Sequence, residues 1–249
     1  MLLPYQKRVL DTILGHTSVS NKSCVEIGGV PNHCDIARYL LQNGAEKIVQ
    51  INNRKDLQAN TSNERIIYLP MDARKTNFNN NSFDIIYGAS VLEHLLDLET
   101  LLLEMHRILK KGGVLCLHGG ALWNCCWGHH LWVHVDDKSY EFNGNNPVLD
   151  WSHLYMNKIE QQDFLTKETN IPKNHIEKII HWIYESNEIN RLTYEDYINL
   201  CKKAPFKTIE NINKSWKEPN ETVIKKIINK ELFRLTNYSV GEIILLLQK

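Results

Sequence analysis

Apolar and polar positions along this chain fall into short blocks whose period alternates between strand-like and helix-like. The opening MLLPYQKRVLDTILG carries charges inside an apolar pattern and predicts an amphipathic helix. Ser23 to Ile27 is a short apolar strand running into Gly28-Gly29. Pro31 then opens a helix with Ile36, Ala37, Leu40 and Leu41 at helical spacing, and Gly44 ends it as a C′ glycine. Lys47 to Ile51 and Arg65 to Leu69 read as the second and third strands, and Asn77 to Ser82 as a polar turn before a fourth, Phe83 to Tyr87. A helix from Leu98 to Leu109, a paired-glycine stop at Gly112-Gly113 and a fifth strand, Val114 to Leu117, complete the series. Such alternation predicts an α/β fold: a Rossmann-like, seven-stranded, mostly parallel sheet with helices on both faces.

From Gly119 to about Asn190 the period is lost, and Trp, His, Asn and Tyr crowd the chain. Order resumes where Thr193-x-x-Asp196 resembles a capping box opening a helix to Lys203, which Pro205 ends. Phe206 to Ile212 reads as a sixth strand, Glu221 to Leu232 as a helix and Glu242 to Leu247 as a seventh strand. The expected organisation is a core of residues 1–118 and 191–249, with residues 119–190 inserted after the fifth strand as a substrate-recognition cap.

Composition narrows the partners. The 249 residues hold 29 Lys+Arg and 29 Asp+Glu, so there is no basic excess of the kind a nucleic-acid groove shows. No apolar run approaches the roughly 18 to 20 residues of a membrane span, and the first residues lack a signal-peptide cleavage pattern. Six irregularly spaced cysteines then read as reduced thiols in the cytoplasm. The expected partner is a small-molecule substrate; homodimerisation is left open.

Several residue identities sharpen the pattern. Phe83-Asp84-Ile85-Ile86, Leu92-Glu93-His94, Glu104 through Leu109 and Lys110-Lys111-Gly112-Gly113 together resemble the central block of class I S-adenosylmethionine-dependent methyltransferases. Tyr238-Ser239-Val240-Gly241 resembles the closing strand of that family. The resemblance implies S-adenosylmethionine as cofactor. It makes Glu26, Gly28 and Gly29 the close-approach turn, with Asn52 and Asn53 at the ribose. Asp72 and Ala73 fall at the adenine, and Ser90 and Glu93 at the edge of the pocket. Two departures stand out. Val30 and Asn32 occupy the positions of the usual later glycines, and Asn52 replaces an acidic residue, losing a charge-assisted bond. The G-x-G-x-x-G of nicotinamide enzymes is absent.

Eleven histidines are present, and several lie in Gly128-His129-His130-Leu131-Trp132-Val133-His134-Val135-Asp136-Asp137. Methyl transfer to a hydroxyl is helped by a base of near-neutral pKa, which makes His129 or His130 the candidate base, with His94 near the cofactor. A strand over 129–135 would put His130, Trp132, His134 and Asp136 on one face. His130 and His134 would then lie about 13 Å apart at ~3.3 Å per residue, too far to chelate one ion, so no metal ligands are assigned and a metal would need others, such as Asp136, Asp137 or His153, to converge. Trp123, Trp127, Trp132 and Trp151 fit either an aromatic platform for a sugar or the core of the insertion. The Gly-His-His and Asp150-Trp151-Ser152-His153-Leu154 segments resemble methyltransferases of surface-polysaccharide pathways. The expected activity is methyl transfer to a small polar acceptor, most readily a hydroxyl of a sugar or phosphate-linked precursor. Two alternatives remain: a non-catalytic or regulatory cofactor-binding protein, and a metal-dependent enzyme built on the His/Asp cluster. Acceptor identity, the acceptor atom and oligomeric state are not encoded legibly.

Overall fold

The computed structural model describes residues 2–30, 35–54, 56, 58–59, 65–230 and 235–249. Pro31 and Asn32, and the end of the helix expected to reach Leu232, lie outside these residues. Among the described residues no helix is long and apolar enough to cross a membrane.

The first elements follow the hydropathy blocks closely: α1 (Pro4–His16), β1 (Ser23–Ile27), α2 (Asp35–Gln42), β2 (Lys47–Asn52), β3 (Ile66–Pro70), β4 (Phe83–Gly88), a 3-10 turn (Leu92–His94), α3 (Leu98–Ile108) and β5 (Leu109–Gly120). After the aperiodic stretch come α7 (Tyr194–Lys203), β8 (Lys207–Ser215), α8 (Glu221–Asn229) and β9 (Val240–Gln248). Seven strands form one sheet in the order β3-β2-β1-β4-β5-β9-β8. β1 pairs in parallel with β2 and β4, which sets Glu26 opposite both Gln50 and Tyr87. At one end of β5, Gly112 N–H donates to Lys249 C=O, and at the other Leu122 N–H donates to Gly241 C=O. β9 therefore runs antiparallel to β5.

β5 begins at Leu109, five residues before the expected Val114. Lys249 N–H donates to Gly113 C=O, so the chain end draws the glycine pair into the ladder. Gly112, at φ +78°, and a register shift between Phe83 and Ile85 absorb the irregularity.

The chain clusters into two compact units. The first comprises Met1–Gly119, Asn199–Ile212 and Ile244–Lys249; the second comprises Gly120–Ile198 and Asn213–Ile243. In the first unit, Val9, Leu10 and Ile13 of α1 and Ile36, Ala37 and Leu40 of α2 pack with Cys24, Ile85, Val114 and Cys116. The alternate strand residues Val25, Ile27, Ile86, Leu115 and Leu117 are buried too, and by strand alternation face the other way. The apolar stripe of α3, Leu101, Leu102, Met105 and Ile108, is buried with them.

The stretch without a clean period resolves into a hairpin, β6 (Trp132–Val135) and β7 (Lys138–Glu141), and three helices, α4 (Ser152–Tyr155), α5 (Lys158–Glu168) and α6 (Lys173–Tyr184). α5 buries only Gln161 and Leu165, so it has no apolar stripe to betray it; its capping box of Asn157 and Glu160 holds it instead. The second unit has its own core, including Trp123, Leu131, Trp151, Leu154, Ile176 and Ile180. Two of the four tryptophans weighed as a platform, Trp123 and Trp151, are thus core residues, while Trp132 is exposed.

Candidate functional site

The first unit gathers polar residues at the carboxyl ends of β1, β2, β4 and β5, where open α/β sheets bind ligands. Gly28 turns the chain at φ +78°, and its N–H donates to Ile51 C=O at 2.8 Å. A Cβ there would sit 2.8 Å from Val91 Cγ2, so only glycine lets this turn meet the turn after β4. Asn52 clamps the same turn: its Nδ2–H group donates to Gly28 C=O at 3.2 Å and Gly29 C=O at 3.4 Å, while its Oδ1 accepts from Arg54 N–H at 3.1 Å. An aspartate would aim an oxygen at two carbonyl oxygens. The amide thus has a local reason that the sequence did not show. Asn53 beside it is exposed.

Glu26, on β1, is buried and accepts from Gln50 Nε2–H at 2.8 Å. Burial outweighs the hydrogen bonds from Gln50 and Tyr87 and pushes its carboxyl up to about 7. Asp72 follows β3 and accepts from Arg74 through the backbone N–H at 2.8 Å and the guanidinium at 2.7 Å. The Arg74 guanidinium holds this carboxyl below its usual range. Ala73 is half-buried next to it.

Ser90 takes φ +55° and donates its N–H to His118 Nδ1 at 2.9 Å; Val91 N–H donates to His118 C=O at 3.1 Å. His118 is buried, with its ring 5.5 Å from that of Tyr5 and nearly parallel. Burial takes its pKa down to about 4, so the imidazole is neutral and its Nδ1 accepts the Ser90 N–H. Glu93 is buried on the 3-10 turn, and its Oε1 lies 3.8 Å from Nε2 of the more exposed His94. A Cβ on Gly119 would sit 2.6 Å from Glu93 Oε2, so the end of β5 passes directly under this carboxylate. Tyr5 is a member of this site that the sequence reading passed over; burial and the Glu93 charge push its hydroxyl pKa up. Its only sequence signal is a place on the amphipathic α1.

The second unit holds the remaining candidates. His130, at φ +46°, precedes β6 and leaves the strand face it was expected to share with His134; its C=O accepts from Trp182 Nε1–H at 2.9 Å. His129 is fully buried and its Nδ1 accepts from Leu131 N–H at 3.1 Å. His153 is buried with its ring 5.5 Å from that of His129, and its Nε2–H donates to Trp123 C=O at 2.8 Å. Burial takes His153 down to about 4 and His129 well below the usual histidine range. These bonds fix the tautomers: His129 carries its proton on Nε2, and His153 leaves a lone pair on Nδ1. Neither atom, nor Ser152 Oγ, has a hydrogen-bond partner among the described residues.

Comparison with known proteins agrees with the layout of the first unit. Residues 31–117 match the model of a methyltransferase domain family. A sequence search of curated proteins gives no match. In fold, the chain is similar to an S-adenosylmethionine-dependent methyltransferase from Mesorhizobium loti at 14% identity and TM-score 0.53, over 99% of this chain and 96% of that one. It is also similar to a putative S-adenosylmethionine-dependent methyltransferase from Listeria monocytogenes at 12% identity and TM-score 0.56, over 98% and 97%. A third similar structure is a putative sarcosine dimethylglycine methyltransferase from Galdieria sulphuraria, at 12% identity and TM-score 0.55, over 98% and 84%. With the strand order, these likenesses show that the chain shares the fold of S-adenosylmethionine-dependent methyltransferases.

Proposed function

We propose that this protein methylates a hydroxyl of a small polar acceptor, such as a sugar or phosphate-linked glycan precursor. The observation that carries the reading is the pair of neutral histidines in the second unit. His129 Nε2–H offers a donor and His153 Nδ1 an acceptor, which is what one hydroxyl requires. A carboxylate or phosphate would call for cations instead.

Bound S-adenosylmethionine supplies a methyl group on a cationic sulfonium, open to in-line attack. The first unit fits such a group: a bare backbone turn at Gly28, and carboxylates at Glu26 and Glu93 to face positive charge. Gly29, Asn53, Asp72, Ala73 and Ser90 complete its surroundings in this reading, with Asn52 acting through the turn it clamps. Positioning supplies much of the rate. His129 holds the acceptor oxygen. The hydroxyl proton becomes strongly acidic as the new C–O bond forms, so a histidine with a resting pKa of about 4, as at His153, suffices to take it at Nδ1. His130 and His94 are the alternative bases.

The test is transfer of a tritiated methyl group from S-adenosylmethionine to a panel of hydroxylated sugars and sugar phosphates. His153→Ala and His130→Ala should separate the bases: one lowers turnover by about 10²-fold or more while cofactor affinity survives. Label appearing only on amine acceptors would overturn the hydroxyl assignment.

A further inference from the structure

We propose that an open groove of about 540 Å³ on the second unit binds the ring of a neutral sugar. Trp127, Phe142 and Tyr155 form its walls, and Asn143, Asn146 and Asp150 its polar edge. The inference rests on the acceptor reading above and deepens it by naming the ring that carries the hydroxyl.

A pyranose has flat C–H faces and a girdle of hydroxyls, so it needs a fixed aromatic plane with amide and carboxylate groups at the margin. The aromatic planes here are held in place. Trp127 Nε1–H donates to Asp150 Oδ1 at 3.0 Å, and its ring lies 5.7 Å from Trp216. Phe142 stacks on Trp216, with centroids 6.5 Å apart and an interplanar angle of 6°. Asn143 is exposed and its amide has no partner among the described residues, leaving donors and an acceptor for ring hydroxyls.

Charge and ring geometry select the class. No Lys, Arg or His is among the lining residues, and the cations at the edge are engaged, Lys217 by Asp150 and Lys226 at 5.1 Å over the Tyr155 ring, so an anionic ligand would have to compete for them. Trp127 and Phe142 are tilted by 50° with centroids 6.4 Å apart, so they form no parallel slot for a nucleobase. The two chain segments that supply the groove also supply the histidine pair. Trp127 precedes His129 by two residues, Asp150 and Tyr155 flank Ser152 and His153, and Trp151 N–H donates to Cys126 C=O at 2.9 Å between the segments.

The groove is tested without cofactor by following the Trp127 indole N–H resonance of the ¹⁵N-labelled full chain. Methyl glucoside, galactose and N-acetylglucosamine are the probes, with glucose 1-phosphate and adenosine as parallel arms. At least one neutral sugar should shift that resonance saturably. Asn143→Ala, on the exposed loop, should weaken the binding by about fivefold, while Trp132→Ala, outside the groove, leaves it unchanged. No shift with any neutral sugar, binding confined to glucose 1-phosphate or adenosine, or equal affinity in Asn143→Ala would overturn the proposal. Sugar binding without methyl transfer would remove the methylation reading and leave the groove. Methyl transfer to sugars without a shift at Trp127 would do the reverse.

Discussion

Asn52 and Glu26 are the single side chains on which the proposed cofactor site makes its sharpest predictions. Asn52 spends its amide protons on the Gly28 and Gly29 carbonyls, so restoring an acidic residue there works against the turn. Asn52→Asp should lower stability by about 1–3 kcal/mol, the cost of a part-buried hydrogen-bonding group left facing acceptors, and should weaken S-adenosylmethionine binding. Thermal melts and calorimetric titration check both; tighter binding by the aspartate would refute the clamp. Glu26 carries a carboxyl raised to about 7 by burial, and a cationic ligand favours its ionised form. Binding should therefore release a proton near pH 6, and affinity should rise with pH by up to about tenfold per unit below pH 7. Titrations in buffers of different ionisation enthalpy measure the proton directly. Glu26→Gln should abolish the release.

At the scale of elements, the site is a meeting of strand ends, and one tight joint is the end of β5 beneath the 3-10 turn. Gly119→Ala would place a methyl 2.6 Å from Leu92 Cβ and from Glu93 Oε2. The turn must move, at a cost of about 1–3 kcal/mol; the expected signature is reduced cofactor affinity in a protein that still folds, read by titration alongside circular dichroism. Much of this element plan was legible beforehand. The β1 block, Gly44, the Thr193–Asp196 box and the succession of strands and helices along the chain follow from period and turn chemistry alone. The reading stopped at α5, whose buried face is too small to leave a period, and at Gly112-Gly113, which the distant Lys249 draws into a strand. The same limit hid Tyr5 and the Asn52 clamp. Both depend on partners 23 or more residues away, which no local pattern reports.

For the whole molecule, three buried neutral histidines dominate the response to acid. His118 and His153 have pKa values near 4, and burial holds His129 well below its ordinary value, against about 6.5 when unfolded. The unfolded chain binds more protons between these limits, so stability is full above pH 6.5 and falls as pH drops toward 4. The slope approaches ~1.4 kcal/mol per pH unit for each group. Glu26 acts in the opposite sense, losing stability as pH rises from its unfolded value through about 7, but it is one group against three. Melting temperature should therefore decline steeply from pH 6.5 to 4, and His153→Asn should flatten the decline. In the proposed function the Gly28 turn holds S-adenosylmethionine. The most direct test of that reading is calorimetric titration of the full chain with S-adenosylmethionine and its demethylated product. We expect one-to-one binding of both, lost in Gly28→Val, whose side chain collides with Val91 at a backbone angle that valine avoids. A folded protein that binds neither compound would contradict the account.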